Sequence, residues 1–249
     1  MTRTKKIVIY IVASIALVAL IIVANSIRNE STVSGLRVVI NYNNADTLIT
    51  AACVKQTLDE EMNWIQRQKV KEIDEEGITN CVLQSPYLLD CHTSVSVNGV
   101  VVVKATQRRP IVRMFLNDEE FYLDEHGKKM PASLEGSGNV VVANTTTSHT
   151  NNEEALKLFH VAKYMDQHKD YGILFDQIYL DNHKDICLIP KLGDHVVIIG
   201  DLENMDKKMQ NLCNFYQTSM PQMGWETYNT INLKYNNQVI CTRNSNKTN

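Results

Sequence analysis

No acidic side chain occurs in the first 27 residues, and Ile7–Ile27 (IVIYIVASIALVALIIVANSI) has no charge of either sign. A helix on the surface of a soluble domain needs a polar face, so a run of this kind excludes that role. Glycine and proline are scarce, ten and five in 249 residues, which excludes collagenous and low-complexity chains. No CxxC occurs among the six cysteines, Cys53, Cys81, Cys91, Cys187, Cys213 and Cys241, and their irregular spacing supports neither a zinc site nor a thioredoxin-type motif. HExxH, G-x-S-x-G, GxGxxG and Walker A are all missing. The histidines His92, His126, His149, His160, His168, His183 and His195 show no metal-ligand spacing. Cys91-His92 is not a nucleophile and base, because neighbours in a strand point to opposite faces. Net charge is only -3, so nothing global indicates nucleic acid. These absences point away from an enzyme and imply no cofactor.

What is present begins with a membrane signal. Twenty-one helical residues span roughly 30 Å, the thickness of the bilayer hydrocarbon. Arg3, Lys5 and Lys6 precede the run and favour a cytoplasmic N-terminus. Of 25 basic residues those three sit ahead of it; the other 22 face 28 acids in the body, a balance of -6. The reading is a cytoplasmic tail (1–6), a single anchor (7–27) and a body in the periplasm or its equivalent. A cleaved signal peptide is the competing reading, since Ala24-Asn25-Ser26 offers small residues to a peptidase, but the run exceeds the usual signal core of roughly 7–15 residues. In an oxidising compartment Cys81–Cys91 is the easiest disulfide to imagine, although cysteines at apolar positions read as buried free thiols.

The polar residues 28–35 read as a linker. Leu36–Tyr42 reads as a strand, and Thr50 as the N-cap of a helix through Glu60 with Ala51, Val54 and Leu58 on one face. Residues 62–70 read as an insertion. Lys71–Ser85 follows as a helix, with Ile78 and Val82 one turn apart and Pro86 stopping it. A strand through Cys91, Thr93, Val95 and Val97, the hairpin signal Asn98-Gly99 and a return strand Val100–Arg108 complete a β-α-α-β-β order. Downstream, Ile111–Leu116 and Glu120–Leu123 form a hairpin, and Val140–Ala143 is a short strand. Thr150–Asp170 is a helix opened by a Thr150/Glu153 capping box, with Ala155, Leu158, Phe159, Ala162 and Met165 inward. Phe175–Leu180, Ile186–Pro190 and Val196–Gly200 are strands. Asn204–Ser219 is a helix with Met205, Met209, Leu212, Cys213 and Tyr216 inward, and Tyr228–Thr242 is one long alternating strand. The fold class is α+β: an anchor, a βααββ domain over 36–109, a mixed domain dominated by an antiparallel sheet over 110–243, and a tail, 244–249.

Three stretches resemble the bacterial FtsQ/DivIB cell-division family. Val103-Lys104-Ala105-Thr106-Gln107-Arg108-Arg109-Pro110-Ile111 looks like its domain-junction "qR-x-P". Phe121-Tyr122-Leu123-Asp124-Glu125-His126-Gly127 is similar to its "YlD-x-x-G" hairpin. Ile231-Asn232-Leu233-Lys234-Tyr235-Asn236-Asn237-Gln238-Val239-Ile240-Cys241 is close to its "vdLrY-x-nqvv" strand. The likeness implies that 36–109 is a POTRA domain and 110–243 the FtsQ-type β domain. It implies a non-enzymatic, single-pass scaffold of the inner membrane at the septum, tying FtsB-like and FtsL-like proteins and other division-site membrane proteins to septal peptidoglycan synthesis. The alternative is another POTRA-bearing envelope assembly or transport component, although neither repeated POTRA units nor a membrane barrel is visible.

The resemblance also implies a partner site. A last strand has no successor to cover it, and its open edge can pair with an incoming peptide. Lys234 and Tyr235 match the family's basic-aromatic pair, and Gln238, Val239 and Ile240 follow. Tyr235 is expected to anchor the partner and Lys234, on the opposite face, to meet its acidic groups. The competing reading buries Tyr235 in the core.

Overall fold

The structure, a computed structural model, describes residues 3–43, 45–62, 65–133, 136, 138–147, 149–235 and 238–245. It is mixed α and β, with one apolar helix, a three-stranded sheet and a nine-stranded sheet. Two compact units divide it: Met1–Asn43 with Leu48–Arg108, and Asn44–Thr47 with Arg109–Asn249.

The first unit opens with helix α1 (Arg3–Glu30). Its stretch Tyr10–Glu30, 21 residues of mean hydropathy 2.4, is long and apolar enough to cross a membrane. Ile11, Ile15, Leu20 and Ile22 stand exposed along it, as lipid-facing side chains do. The segment read as a linker is ordered: α1 continues to Glu30, and β1 (Gly35–Asn41) starts five residues on. Helix α2 (Ala51–Glu61) begins where Thr50 accepts a bond from the Cys53 N–H, and it buries Val54 and Leu58. The second helix is shorter than the sequence suggests. Val70–Glu72 is a 3₁₀ turn and α3 spans Glu75–Leu83, because the Asp74 carboxylate accepts the Gly77 N–H and caps the helix there. Ile78 and Val82 are buried as expected.

Strands β2 (Leu88–Val95) and β3 (Val100–Gln107) pair antiparallel, and β1 pairs parallel to β3, giving the order β1-β3-β2. Val97 lies past the end of β2, 86% exposed at the hairpin tip. The turn differs from a two-residue Asn-Gly loop. The Gly99 N–H donates to the Ser96 carbonyl, the Ser96 N–H to the Val100 carbonyl, and only Gly99 of the pair has positive φ, 78°. This is the three-residue loop with glycine at the left-handed position. The core joins Val54, Leu58, Ile78 and Val82 to Leu88, Cys91, Val101 and Val103. At the end of β3 the buried Gln107 Oε1 accepts the N–H groups of Leu48 (2.7 Å) and Ile49 (3.2 Å).

In the second unit β4 (Pro110–Leu116) and β5 (Glu119–Asp124) form a tight hairpin. Asn117 and Asp118 have φ of 53° and 61°, the primed turn that suits strand twist. β6 (Lys129–Pro131) and β7 (Val141–Thr145) flank this pair. Helix α4 (Asn152–Gln167) starts one residue later than the sequence suggests. Asn151 and Glu154 form the capping box, because the Thr150 N–H is drawn to Asn117 Oδ1 (2.7 Å) and its hydroxyl to that of Thr145 (2.8 Å). Leu158, Phe159, Ala162 and Met165 are buried in it. After α5 (Lys169–Gly172) come β8 (Phe175–Leu180), β9 (Ile186–Pro190) and β10 (Val196–Gly200), all at the expected bounds. Helix α6 (Met205–Thr218) buries Met205, Met209, Leu212 and Tyr216, and α7 (Met220–Met223) follows.

The long strand expected over Tyr228–Thr242 is two strands, β11 (Tyr228–Asn232) and β12 (Ile240–Arg243), paired antiparallel. Asn232 is the cause, because its Oδ1 accepts the Lys234 N–H (2.9 Å), a local bond that competes with the ladder. Asn236 and Asn237 lie outside the described residues. The sheet order is β12-β11-β10-β9-β8-β7-β4-β5-β6, with parallel pairs at β4/β7, β7/β8 and β10/β11 and antiparallel pairs elsewhere.

Candidate partner-binding edge

Among the described residues the nine-stranded sheet ends at β6 and at β12, and the two ends differ in character. At one end β6 is three residues long, with Lys129 and Pro131 on it. A short edge with a charge and a residue lacking an N–H is a poor template for a new strand. At the other end β12 pairs only with β11 among the described residues. It carries Ile240, Cys241, Thr242 and Arg243, of which Ile240, Thr242 and Arg243 are exposed. Its outer side offers backbone donors and acceptors beside an apolar side chain, which is what strand addition requires.

The turn leading to β12 holds the other expected site residues. Leu233 is buried and its N–H donates to the Ile198 carbonyl (2.8 Å), extending the β10/β11 pairing one residue past the strand. Tyr235 would share that inward face if the strand continued. The Asn232 turn ends the alternation, and Tyr235 is 55% exposed, so it is no core residue. Gln238 is exposed and its N–H donates to the Tyr235 carbonyl (3.3 Å). Val239 is half-buried and packs on the main core, which fixes the start of β12. Tyr235, Gln238 and Ile240 thus lie exposed within six residues of one another, with Val239 as their inward foot.

Lys234 has a different environment from the one expected. Its Nζ lies 2.5 Å from Asp185 Oδ2, in the β8–β9 turn. That turn is set by Asp181, whose Oδ1 accepts the N–H groups of His183 and Asp185, and by Lys184 at φ 63°. The stem of Lys234 crosses Gly200, where an added Cβ would stand 2.7 Å from its Cγ. The Asp185 carboxylate pushes the Lys234 ammonium above its ordinary pKa. Lys234 therefore ties the β12 turn to β8–β9. The sequence contains both residues, but nothing in it signals a pairing 49 positions apart.

All six cysteines are free thiols, and the Cys81–Cys91 disulfide is not formed. Burial pushes Cys81 and Cys187 up to about 11, so neither supplies a thiolate at neutral pH. Among the described residues no group of three His, Cys, Asp or Glu side chains is placed to hold a metal.

A search of curated proteins finds no match. A family model described as FtsQ/DivIB, C-terminal related, matches residues 109–242, more than half of the chain and nearly all of the second unit. The match spans the nine-stranded sheet except for Arg243, the last residue of β12, and the chain belongs to the FtsQ/DivIB C-terminal-related family.

Proposed function

We propose that this protein is a non-enzymatic scaffold of the bacterial division machinery whose β12 edge captures a strand of an FtsB-like partner. Family membership supports the division role. The observation carrying the partner reading is the contrast between the sheet's ends: a blunted β6, and an open β12 with Ile240 and Tyr235 exposed beside it. Backbone pairing supplies affinity in such complexes, and exposed side chains along the edge supply selectivity. Tyr235, Gln238 and Ile240 are the contact residues, with Val239 holding the strand. Lys234 contributes through its pair with Asp185, and its partly exposed ammonium has further N–H donors for an acidic group of the partner.

In this reading α1 is a single membrane anchor, the N-terminus is cytoplasmic, and both units lie in the periplasm. The βααββ unit is a POTRA domain that aids placement at the septum. An FtsL-like protein joins the same complex, and the assembly regulates septal peptidoglycan synthesis. Affinity purification of the full chain from dividing cells tests it. FtsB-like and FtsL-like proteins are expected to co-purify with the wild type and to be lost with Ile240→Lys. Their absence from the wild-type eluate would contradict the reading.

A further inference from the structure

Within the first unit, residues 28–34 are bound on two sides. The Arg28 guanidinium donates from Nη2 to the Val95 carbonyl (2.8 Å), with the Ser96 carbonyl at 3.5 Å. The Glu30 carboxylate accepts Lys69 Nζ (2.7 Å) and Lys71 Nζ. Backbone bonds join Val70 N–H to Ser31 (2.9 Å), Val33 N–H to Gln68 (3.0 Å) and Ser34 N–H to Gly99 (2.9 Å). Val33 is buried in the unit's core. The segment read as an insertion is therefore one jaw of a clamp, and the β2–β3 hairpin is the other.

This clamp fixes the hairpin against the anchor. The apolar run Ile7–Ile27 fills the hydrocarbon, so Arg28 emerges at the bilayer surface. Its bonds to Val95 and Ser96 hold the hairpin tip within one side-chain length of that level. Val97, on the tip, is the most exposed large apolar side chain among the described residues, at 86%. The charges around the clamp balance: Arg28, Lys69 and Lys71 face Glu30, Glu72 beside Lys69, and Glu75, whose Oε1 accepts the Val95 N–H (3.1 Å). An apolar tip held at the level where the anchor leaves the hydrocarbon fits the interfacial zone of a bilayer.

We propose that the β2–β3 hairpin tip is immersed in the interfacial zone of the membrane that α1 crosses, with Val97 among the lipids. The first unit is thereby seated on the bilayer rather than tethered above it. Anchoring by α1 is presupposed, while partner capture at β12 is not.

Tryptophan quenching in nanodiscs tests it on the full chain. Val97→Trp is compared with Val39→Trp, an exposed position on β1 four residues farther from the anchor than Gly35. In brominated lipid the V97W tryptophan is expected to lose most of its emission and to be blue-shifted. V39W should match the wild-type background. A solvent-like, unquenched V97W, or equal quenching of both, overturns the proposal. Failure of α1 to insert would appear separately, as protein absent from the nanodisc fraction.

Discussion

Lys234 Nζ meets Asp185 Oδ2 at 2.5 Å, so the turn that presents the β12 edge is held by an ion pair to the turn between β8 and β9. The two side chains are 38% and 21% exposed, which makes this a partly solvated pair. A double-mutant cycle is expected to show coupling of about 0.3–1 kcal/mol in thermal unfolding. Lys234→Ala and Asp185→Ala should each weaken partner binding through the loosened turn, and the double variant should add little. Fully additive effects would show that the pair is incidental.

Arg109 joins two carboxylates in the second unit. Nη1 and Nη2 meet the two Asp166 oxygens at 2.6 and 2.7 Å, and Nη2 meets Glu125 Oε2 at 2.7 Å. These carboxylates raise its already high pKa. The planar fork ties the start of β4 to α4 and to the β5–β6 turn. Arg109→Ala is expected to cost about 1–3 kcal/mol in denaturant unfolding, and Arg109→Lys to recover little of it, since an ammonium cannot match two oxygens at once. Full rescue by lysine would contradict the geometric reading.

His195 is buried, with Nε2 2.7 Å from the Tyr216 hydroxyl and Trp225 stacked beside it. Burial pushes its pKa below the ordinary 6.5, against the opposing pull of Asp194. The unfolded chain takes up a proton near 6.5 and the folded one resists it. Stability from this group is therefore complete above pH 6.5 and declines as pH falls below it. Melting temperatures between pH 7.5 and 5 should fall more steeply for the wild type than for His195→Gln; parallel curves would assign the pH dependence elsewhere.

Leu58 is fully buried where α2 meets the first sheet. Leu58→Asp is expected to cost several kcal/mol, through a carboxylate buried without a partner, and to unfold the first unit in circular dichroism. An unchanged melting temperature would displace α2 from the core.

Local chemistry made much of this fold legible in the sequence. Thr50 marked α2, and β8, β9 and β10 stood out as apolar runs between turn residues. What failed was decided by competing polar partners. The Thr150/Glu153 box lost to Asn151/Glu154 because Asn117 and Thr145, distant in sequence, claim Thr150. Alternation suggested one strand over Tyr228–Thr242, but the Asn232 side chain broke it. The same break took Tyr235 off the inward face, and the contacts of Lys234 with Asp185 and Gly200 were invisible in the sequence. The clamp on Glu30 joins residues about forty positions apart, beyond the reach of any local pattern.

The most direct test of the partner site is the affinity of the full chain, in nanodiscs, for the FtsB-like partner, measured with the melting temperature on the same Tyr235→Ala protein. An exposed anchor predicts a loss of about 2 kcal/mol or more, over tenfold in Kd, with the melting temperature unchanged. Wild-type affinity in the variant would contradict the account, as would a lowered melting temperature accompanying the loss.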